Sequence, residues 1–322
     1  MRDDWRPTAD LAALRARAEL LRRVRDFMHH RGVLEVETPA LIAAPATDPQ
    51  LHSAEVRLPG IDRPLFLHTS PEYAMKRLLA AGSGDIYQIC KVFRGAEHSR
   101  VHNAEFTLLE WYRVGWSIER FLDEIAALLR HALAPRAVPE PAQLRYRDAL
   151  LQYAQVDIER ADRDTLAAVA AAAGLDAATA RQADRDTLLD ALLALRVAPA
   201  LDSERPVFLT HFPASQAALA RRDPDDARYA LRFELYWQGV ELANGYDELT
   251  DAAELATRFA ADQSLRTSRG LPRYPLDERL LGALRSGLPP CCGVALGLDR
   301  LLLVARGAQS LTECIAFPLE RA

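Results

Sequence analysis

Glycine and cysteine are scarce in this sequence, and neither forms a ligand-binding pattern. The 322 residues include 15 glycines, with no GxxxxGK[ST] phosphate loop and no GxGxxG after a strand-like segment. P-loop and Rossmann nucleotide sites therefore have no support. The 4 cysteines form no CxxC pair, and no histidine lies at zinc-ligand spacing from them. Free thiols in a reducing compartment are the simplest interpretation.

Long apolar runs and clustered positive charge are also missing. The longest apolar run, 166–175, is mostly alanine and too short to cross a bilayer. Acidic residues stand near the N-terminus, where a signal peptide needs an apolar run. The net charge of −5 weakens a nucleic-acid-binding interpretation without excluding it, because a local basic patch can exist in an acidic protein. We expect a cytoplasmic protein that makes no membrane contact.

The spacing of apolar residues divides the chain into helical and strand-like segments. Predicted helices lie at 9–31, 118–134 and 299–305, another opens at Ser70-Pro71-Glu72, and an alanine-rich insertion at about 140–205 is helical. Predicted strands lie at 33–39, 86–93, 106–112 and 293–298, with two more between 207 and 249. Strands in hairpin order predict an α+β fold, an antiparallel β-sheet flanked by helices.

Side chains suited to nucleotide binding cluster between the strands predicted at 86–93 and 106–112. Arg94 leads the connecting loop and can reach a phosphate with its planar fork of donors. Phe106 starts the return strand and can stack on a flat base. The alternative is a solvated hairpin whose arginine pairs with a nearby carboxylate. His102 and Asn103 lie in the same loop.

Three glutamates follow at seven-residue intervals, namely Glu234, Glu241 and Glu248, with Asn244 among them. The first two fall on strands separated by a turn at Gln238-Gly239, so they can face each other. Two such carboxylates repel unless a cation lies between them, and Mg²⁺ is held in this way in nucleotide sites. Glu248 can instead balance an ammonium group. The alternative is a row of surface glutamates.

Small residues precede an arginine near the C-terminus, in the run 293–300. Glycines such as Gly297 let a ligand approach the backbone closely. Arg300 begins a predicted helix, whose first N–H groups and dipole also favour an anion. The alternative is a pair of packing glycines followed by a surface arginine.

Taken in order, these clusters resemble the motifs of class II aminoacyl-tRNA synthetases. Gly32–Pro39 resembles motif 1, Phe93–Phe106 motif 2 and Gly297–Arg300 motif 3. The runs 110–112 and 241–249 resemble the lysine pocket of lysyl-tRNA synthetases. With the short segment before motif 1, the run 212–216 resembles the elongation factor P (R)-β-lysine ligase family, a truncated paralogue of lysyl-tRNA synthetase.

The resemblance implies a role for each matched residue. Arg94 and Arg300 would be the catalytic residues, on the α- and γ-phosphates of ATP, and Glu234 and Glu241 would carry Mg²⁺. The residues implied to bind ATP are Arg94, His102, Asn103, Phe106, Glu241, Leu242, Gly297 and Arg300. Those implied to bind the amino acid are Ser70, Pro71, Glu72, Tyr112, Asn244, Glu248 and Ala295. Among these, Glu248 and Tyr112 would meet its ε-ammonium and Glu72 its other amino group.

The implied activity is ATP-dependent activation of (R)-β-lysine as an adenylate and its transfer to a lysine side chain of elongation factor P. Aminoacylation of tRNA or a small molecule with lysine stays open, as does an inactive paralogue acting as a binding subunit. The resemblance also implies a homodimer and a single catalytic domain over 1–322. No anticodon-binding domain and no anticodon-dependent tRNA binding are expected.

Two positions depart from the lysyl-tRNA synthetase pattern. Motif 2 normally has glutamate two residues after its arginine, aimed at the adenine amino group, whereas this chain has Ala96 there and Glu97 next. The consequence concerns nucleotide affinity. Ala295 stands where lysyl-tRNA synthetases have glycine, and its extra methyl group would change which amino-group position fits the pocket.

Overall fold

The computed structural model describes residues 5–95 and 98–322, so the effect of Ala96 and Glu97 on adenine recognition lies outside the described residues. The chain forms two compact units. Unit 1 consists of Met1–Arg136 and Glu248–Ala322, and unit 2 of Ala137–Asp247. Each has its own strands and its own helices.

The strands, numbered in chain order, are the following. They are β1 (Leu34–Glu35), β2 (Leu41–Ile42), β3 (Glu55–Val56), β4 (Leu65–Leu67), β5 (Ile86–Phe93), β6 (Glu105–Val114), β7 (Ala142–Arg145), β8 (Val207–Pro213), β9 (Tyr229–Trp237), β10 (Val240–Asp247) and β11 (Cys291–Gly297). In unit 1 the order is β1-β5-β6-β11, with β2-β4-β3 as a separate small sheet. In unit 2 the order is β10-β9-β8-β7. Only β1–β5 and β7–β8 pair in parallel among the described pairs within each unit.

The helices flank these strands. They are α1 (Leu11–His30), α2 (Glu72–Ala80), α3 (Ile118–Ala132), α4 (Tyr146–Ala154), α5 (Arg163–Ala172), α6 (Ala177–Gln182), α7 (Arg185–Leu192), α8 (Ala252–Ser268), α9 (Glu278–Gly287) and α10 (Leu298–Arg306). Helices packed around mainly antiparallel strands confirm the predicted α+β class.

Local sequence signals explain several of these boundaries. The Asp10 carboxylate accepts a hydrogen bond from the backbone N–H of Ala13 at 2.6 Å and caps α1. Gly32, at φ +67°, follows the end of that helix. The turn between β9 and β10 lies at Gln238 and Gly239, both at positive φ, as predicted.

Two predictions need correction. The strand expected over 33–39 is assigned only at β1, although Val36 N–H still donates to the Tyr87 carbonyl at 2.8 Å. Pro39, which has no N–H, stands at the far end of that segment. The sequence interpretation also omitted α8, whose apolar stripe is weak, and α9, whose apolar stripe is well defined.

The β5–β6–β11 strands hold most of the unit 1 site. In the β6–β11 register, Tyr112 lies opposite Gly293 and Glu110 opposite Ala295. Because side chains alternate along a strand, these four positions share one face. In unit 2, helix α4 packs against β8, and residues of α4 to α7, β8 and β9 form one hydrophobic core, with the Tyr146 and Phe212 ring centroids 4.7 Å apart.

Candidate functional site

Unit 1 contains a buried acidic pocket. The Ser70 hydroxyl donates to Glu110 Oε2 at 2.7 Å, and the Tyr112 hydroxyl donates to Glu110 Oε1 at 2.7 Å. Ser70 Oγ also accepts a hydrogen bond from the Glu72 N–H, at the start of α2. The structure therefore brings Ser70, Glu72 and Tyr112 together, as predicted, and adds Glu110.

A lysine that the sequence interpretation did not single out lies inside this pocket. Lys76 Nζ is 2.7 Å from Glu72 Oε1 and 2.6 Å from Glu248 Oε2. Glu72 and Lys76 are one helical turn apart on α2, so their side chains meet on one face. Glu248, which directly follows β10 in sequence, is 1% exposed and Lys76 is 2% exposed. Glu248 thus joins the same cluster.

Burial and like charge raise the carboxyl pKa values in this pocket. The pKa of Glu248 rises to about 8 because of burial and the charges of Glu72 and Glu110, against the opposing effect of Lys76. The pKa of Glu110 rises to about 7, again mainly through burial and the charge of Glu72. Carboxyl groups with such values favour an incoming cation, because an ammonium group restores their charged form.

Gly293 makes room for the pocket. A Cβ atom on Gly293 would lie inside the van der Waals radii of Glu248 Oε1 and of the Tyr112 ring. No side chain fits there without moving both groups. Ala295, two residues along β11, lies opposite Glu110 and adds one methyl group on the same face. This is the position where the resemblance predicted an effect on substrate fit.

A cavity of about 430 Å³ opens beside the loop Ser70-Pro71-Glu72. Its walls include apolar side chains before α2 and the start of α9, together with the cations Arg63, Arg77 and Arg279. Pro71 therefore lies at the wall of an open space rather than in a packed core.

Arg94 and Phe106 lie together. The Arg94 guanidinium carbon is 5.1 Å from the centroid of the Phe106 ring, and Nε donates to the Thr69 carbonyl. An arginine stacked above an aromatic ring can offer its remaining donors to an anion at the edge of a flat base. The two side chains predicted to bind the nucleotide therefore lie side by side.

His102 and Asn103 make local contacts in the loop before β6. His102 Nδ1 is 2.7 Å from the Ser99 hydroxyl. The Asn103 amide donates to the Glu105 carbonyl at 2.6 Å, and its oxygen accepts from the Leu319 N–H at 3.1 Å. In this geometry the Asn103 side chain holds the loop against the C-terminal segment.

Helix α10 begins directly after Gly297, and Arg300 lies in its first turn. The Arg300 Nε donates to the Val101 carbonyl at 3.1 Å. The preceding Asp299 is buried and ties two elements to this turn. Its carboxylate accepts from the Thr107 N–H at 2.6 Å and pairs with Arg17. The start of α10 is therefore held beside the motif 2 hairpin, which brings Arg300 to the same loop as Arg94.

Glu234 and Glu241 lie in unit 2 on β9 and β10. Glu241 is opposite Tyr236, two residues from Glu234, so the two carboxylates share a face as diagonal neighbours rather than facing directly. Burial raises the pKa of Glu234 to about 7, and the charge of Glu241 adds to this rise. Glu234 is also paired with Arg232 and accepts from the Tyr236 hydroxyl at 2.6 Å.

The two carboxylates lie on one face of the strand pair, while both oxygens of Glu234 are also in contact with protein groups, Oε1 with Arg232 and Oε2 with the Tyr236 hydroxyl. Among the described residues, no three His, Cys, Asp or Glu side chains gather into a metal site. A pair of carboxylates cannot fill the octahedron of Mg²⁺, so substrate oxygens and water must supply the rest. The charge of Glu241 adds to the raised pKa of Glu234, and a bound cation would oppose that effect.

Arg232 organises the other unit 2 residues. Its guanidinium donates to the Asn244 side-chain oxygen at 3.2 Å and to the Gln216 carbonyl at 2.7 Å. Asn244 also donates to the Tyr246 hydroxyl at 2.8 Å, while Leu242 is a buried core residue of β10. Neither Arg232 nor Lys76 was predicted from the sequence. Each has one partner nearby along the chain, but the contacts of Lys76 with Glu248 and of Arg232 with Gln216 and Asn244 depend on the fold.

The four cysteines are free, and three of them are buried, in agreement with the sequence interpretation. Over the residues that the structure describes, none of the helices has the length and apolar character needed to cross a membrane.

Comparison with known proteins agrees with this geometry. The family model for class II tRNA synthetases (D, K and N) matches residues 4–321. The chain is 48% identical over 322 residues to the elongation factor P–(R)-β-lysine ligase of Edwardsiella ictaluri (strain 93-146), covering 99% of this chain and 98% of that protein. The chain belongs to the class II tRNA synthetase family and, within it, to the family of elongation factor P (R)-β-lysine ligases.

Proposed function

We propose that this chain is an ATP-dependent ligase that activates (R)-β-lysine as an adenylate and transfers it to a lysine side chain of elongation factor P. The observation that carries the substrate class is the buried acidic pocket of unit 1, where Glu72, Glu110 and Glu248 surround one lysine. A pocket with excess buried negative charge favours a substrate carrying two ammonium groups. The near full-length relationship to a ligase of this name supports the acceptor.

The proposed roles follow from the chemistry of each side chain. Glu248 and Tyr112 receive the ε-ammonium, Glu72 the other amino group, and Ser70, Pro71, Asn244 and Ala295 shape the rest of the substrate site. Arg94 holds the α-phosphate and Phe106 stacks on adenine. Arg300 holds the γ-phosphate, with the other predicted ATP-binding residues being His102, Asn103, Leu242 and Gly297.

Two bond changes complete the reaction. An oxygen of the substrate carboxylate attacks the α-phosphorus of ATP, and pyrophosphate leaves. The acceptor amine then attacks the activated carbonyl carbon, AMP leaves with the electron pair of the broken bond, and the amine nitrogen releases a proton to solvent. The two arginines position the phosphates and offset their charge. We propose Glu234 and Glu241 as the residues that hold Mg²⁺, which when bound neutralises phosphate charge.

Other properties remain part of the same proposal. They are a cytoplasmic homodimer, one catalytic domain over 1–322 that includes the helical insertion at about 140–205, and no anticodon-dependent tRNA binding. Sedimentation of the purified chain measures whether it forms a dimer.

The test uses purified chain with ATP, Mg²⁺, (R)-β-lysine and elongation factor P. We expect the factor to gain the mass of one β-lysyl group, and pyrophosphate exchange to depend on the diamino acid. Arg300→Ala should abolish pyrophosphate exchange, because a phosphate contact is lost. The circular dichroism spectrum should be unchanged, because the fold is retained. Charging of tRNA instead, or absence of any exchange, would replace the proposal by aminoacylation of tRNA or by a binding subunit, respectively.

A further inference from the structure

Lysine is almost absent from this chain. Of the 40 lysine and arginine residues, only Lys76 and Lys91 are lysines. Lys91 lies on β5 with about half of its side chain exposed, 3.2 Å from Glu105. Lys76 is instead buried between two carboxylates. A chain that uses arginine nearly everywhere keeps at this point a compact ammonium on a flexible stem, which a planar guanidinium cannot replace.

Lys76 contacts one carboxylate oxygen on each of two glutamates that are predicted to bind the substrate. Its ammonium takes Oε1 of Glu72 and Oε2 of Glu248. Glu248 Oε1 is buried and makes no hydrogen bond with the described residues, and together with the Tyr112 ring it fills the space that a side chain at Gly293 would occupy. One oxygen of Glu248 is therefore anchored while the other remains unsatisfied, which a buried carboxylate oxygen does not tolerate without a partner.

The charges of the cluster match a diamino acid. With every group ionised, three carboxylates and one ammonium leave two negative charges, equal to the two ammonium groups of such a substrate. The titratable groups that face Lys76 and Glu248 from the surrounding elements are Glu72 and Tyr73 on α2, and Glu110 and Tyr112 on β6. Lys76 is the only cation among them in the part of the chain that the structure describes.

We propose that Lys76 is a positioning residue for the diamino acid substrate. Its ammonium anchors one oxygen of Glu72 and one of Glu248, favours the charged form of Glu248, and leaves their other oxygens for the substrate. This inference rests on the proposed function, because it presumes that a diamino acid enters the pocket.

Lys76 itself stays protonated in this arrangement. Burial alone would lower the pKa of Lys76, but the charges and hydrogen bonds of Glu248 and Glu72 more than offset it, so the pKa lies above its ordinary value. A protonated amine is not a nucleophile, so Lys76 does not intercept the activated carboxyl group of the substrate.

The first test compares Lys76→Met with the wild-type chain in diamino-acid-dependent pyrophosphate exchange, from about pH 6.5 to about pH 9. Without the ammonium, Glu248 and Glu110 lose the charge that opposes their raised pKa values and are protonated over a wider pH range. We expect KM for the diamino acid to rise about 30-fold near neutral pH, to recover as the pH rises, and kcat to change by less than about threefold. Lys91→Met, the matched control, should leave the profile unchanged.

A role limited to structure predicts a different outcome. It would lower the melting temperature and the active fraction of Lys76→Met while KM kept the wild-type pH profile, and that result would overturn the proposal. The wild-type chain separates this outcome from failure of the proposed function. If the wild type catalyses exchange and the pH profile of KM is unshifted in the variant, only the role of Lys76 is rejected. If the wild type catalyses no exchange, the proposed ligase function is rejected.

A second measurement does not depend on the folding of the variant. Lysine labelled with ¹³C at Cε gives two resonances in the wild-type chain, and Lys91→Arg assigns them. We expect the Lys76 resonance to keep the position of an ammonium group over the same pH range and to shift when the diamino acid is added. A resonance that titrates within this range, or that the diamino acid leaves unmoved, would overturn the proposal.

Discussion

Gly293 is the residue that decides whether the acidic pocket can exist. The Tyr112 ring and the Glu248 carboxylate occupy the space that a side chain at Gly293 would fill. In sequence it is one glycine in a run of small residues, and its importance follows from the partner strand rather than from its neighbours along the chain. The residue opposite it in the β6–β11 register is Tyr112.

Gly293→Ala should therefore damage substrate binding more than folding. We expect KM for the diamino acid to rise by about tenfold or more and stability to fall by about 1–3 kcal/mol, because the new methyl group forces Tyr112 and Glu248 apart. Steady-state exchange and thermal melting measure the two effects. Gly282→Ala is the control, since a Cβ there, on α9, meets nothing within 4 Å. Equal effects of both substitutions would contradict this role for Gly293.

At the scale of elements, helix α7 supports the unit 2 residues through a chain of hydrogen bonds. Gln216 Nε2 donates to Asp190 Oδ1 at 2.8 Å, and the Gln216 carbonyl accepts from Arg232. Arg232 in turn holds Asn244 and Glu234. A helix of the predicted insertion thus fixes residues of β9 and β10.

Asp190→Ala tests this support. Loss of the acceptor for Gln216 costs about 1 kcal/mol and loosens the carbonyl that Arg232 contacts, so we expect kcat/KM in pyrophosphate exchange to fall about fivefold. The melting temperature should fall only slightly. Asp164→Ala, which removes an exposed partner of Arg163 on α5, serves as the control and should leave exchange unchanged. Unaltered exchange in Asp190→Ala would show that α7 does not position these residues.

Sequence patterns located most elements because each one carries its own periodicity. The strands β5 and β6 and the helix α1 match the predicted bounds closely, whereas the structure has three strands, β8, β9 and β10, where two were predicted between 207 and 249. The patterns did not locate α8 and α9, nor the bulge after Glu241 that places Asn244 opposite Glu234. A bulge changes the register by one residue, and only the pairing of both strands reveals it.

At the scale of the whole molecule, the raised pKa values of Glu248 and Glu110 link substrate binding to pH. A carboxyl group whose pKa is higher in the folded state stabilises the fold at low pH, and this contribution is lost as the pH rises from the unfolded value through the folded one. Binding of an ammonium group favours the ionised form and releases these protons. The affinity of the folded chain for the diamino acid therefore rises with pH through about 7 to about 8.

Thermal melting with and without a fixed concentration of the diamino acid measures this linkage. The increase in melting temperature caused by the ligand should grow between about pH 6 and about pH 8, corresponding to an affinity gain of about tenfold. A monoamine of similar length should give a smaller increase. A ligand-induced increase that is constant over this range would contradict the assigned ionisation of Glu248.

The sequence by itself determined the class of fold, the order of the motifs and most residues of the site, because helical and strand periodicity and short motifs are local properties. Only the tertiary structure decided that Lys76 lies between Glu72 and Glu248, and that Gly293 makes room for Tyr112. These contacts join segments that are far apart along the chain. Their energies depend on burial and on the charges of neighbours, which no local pattern contains.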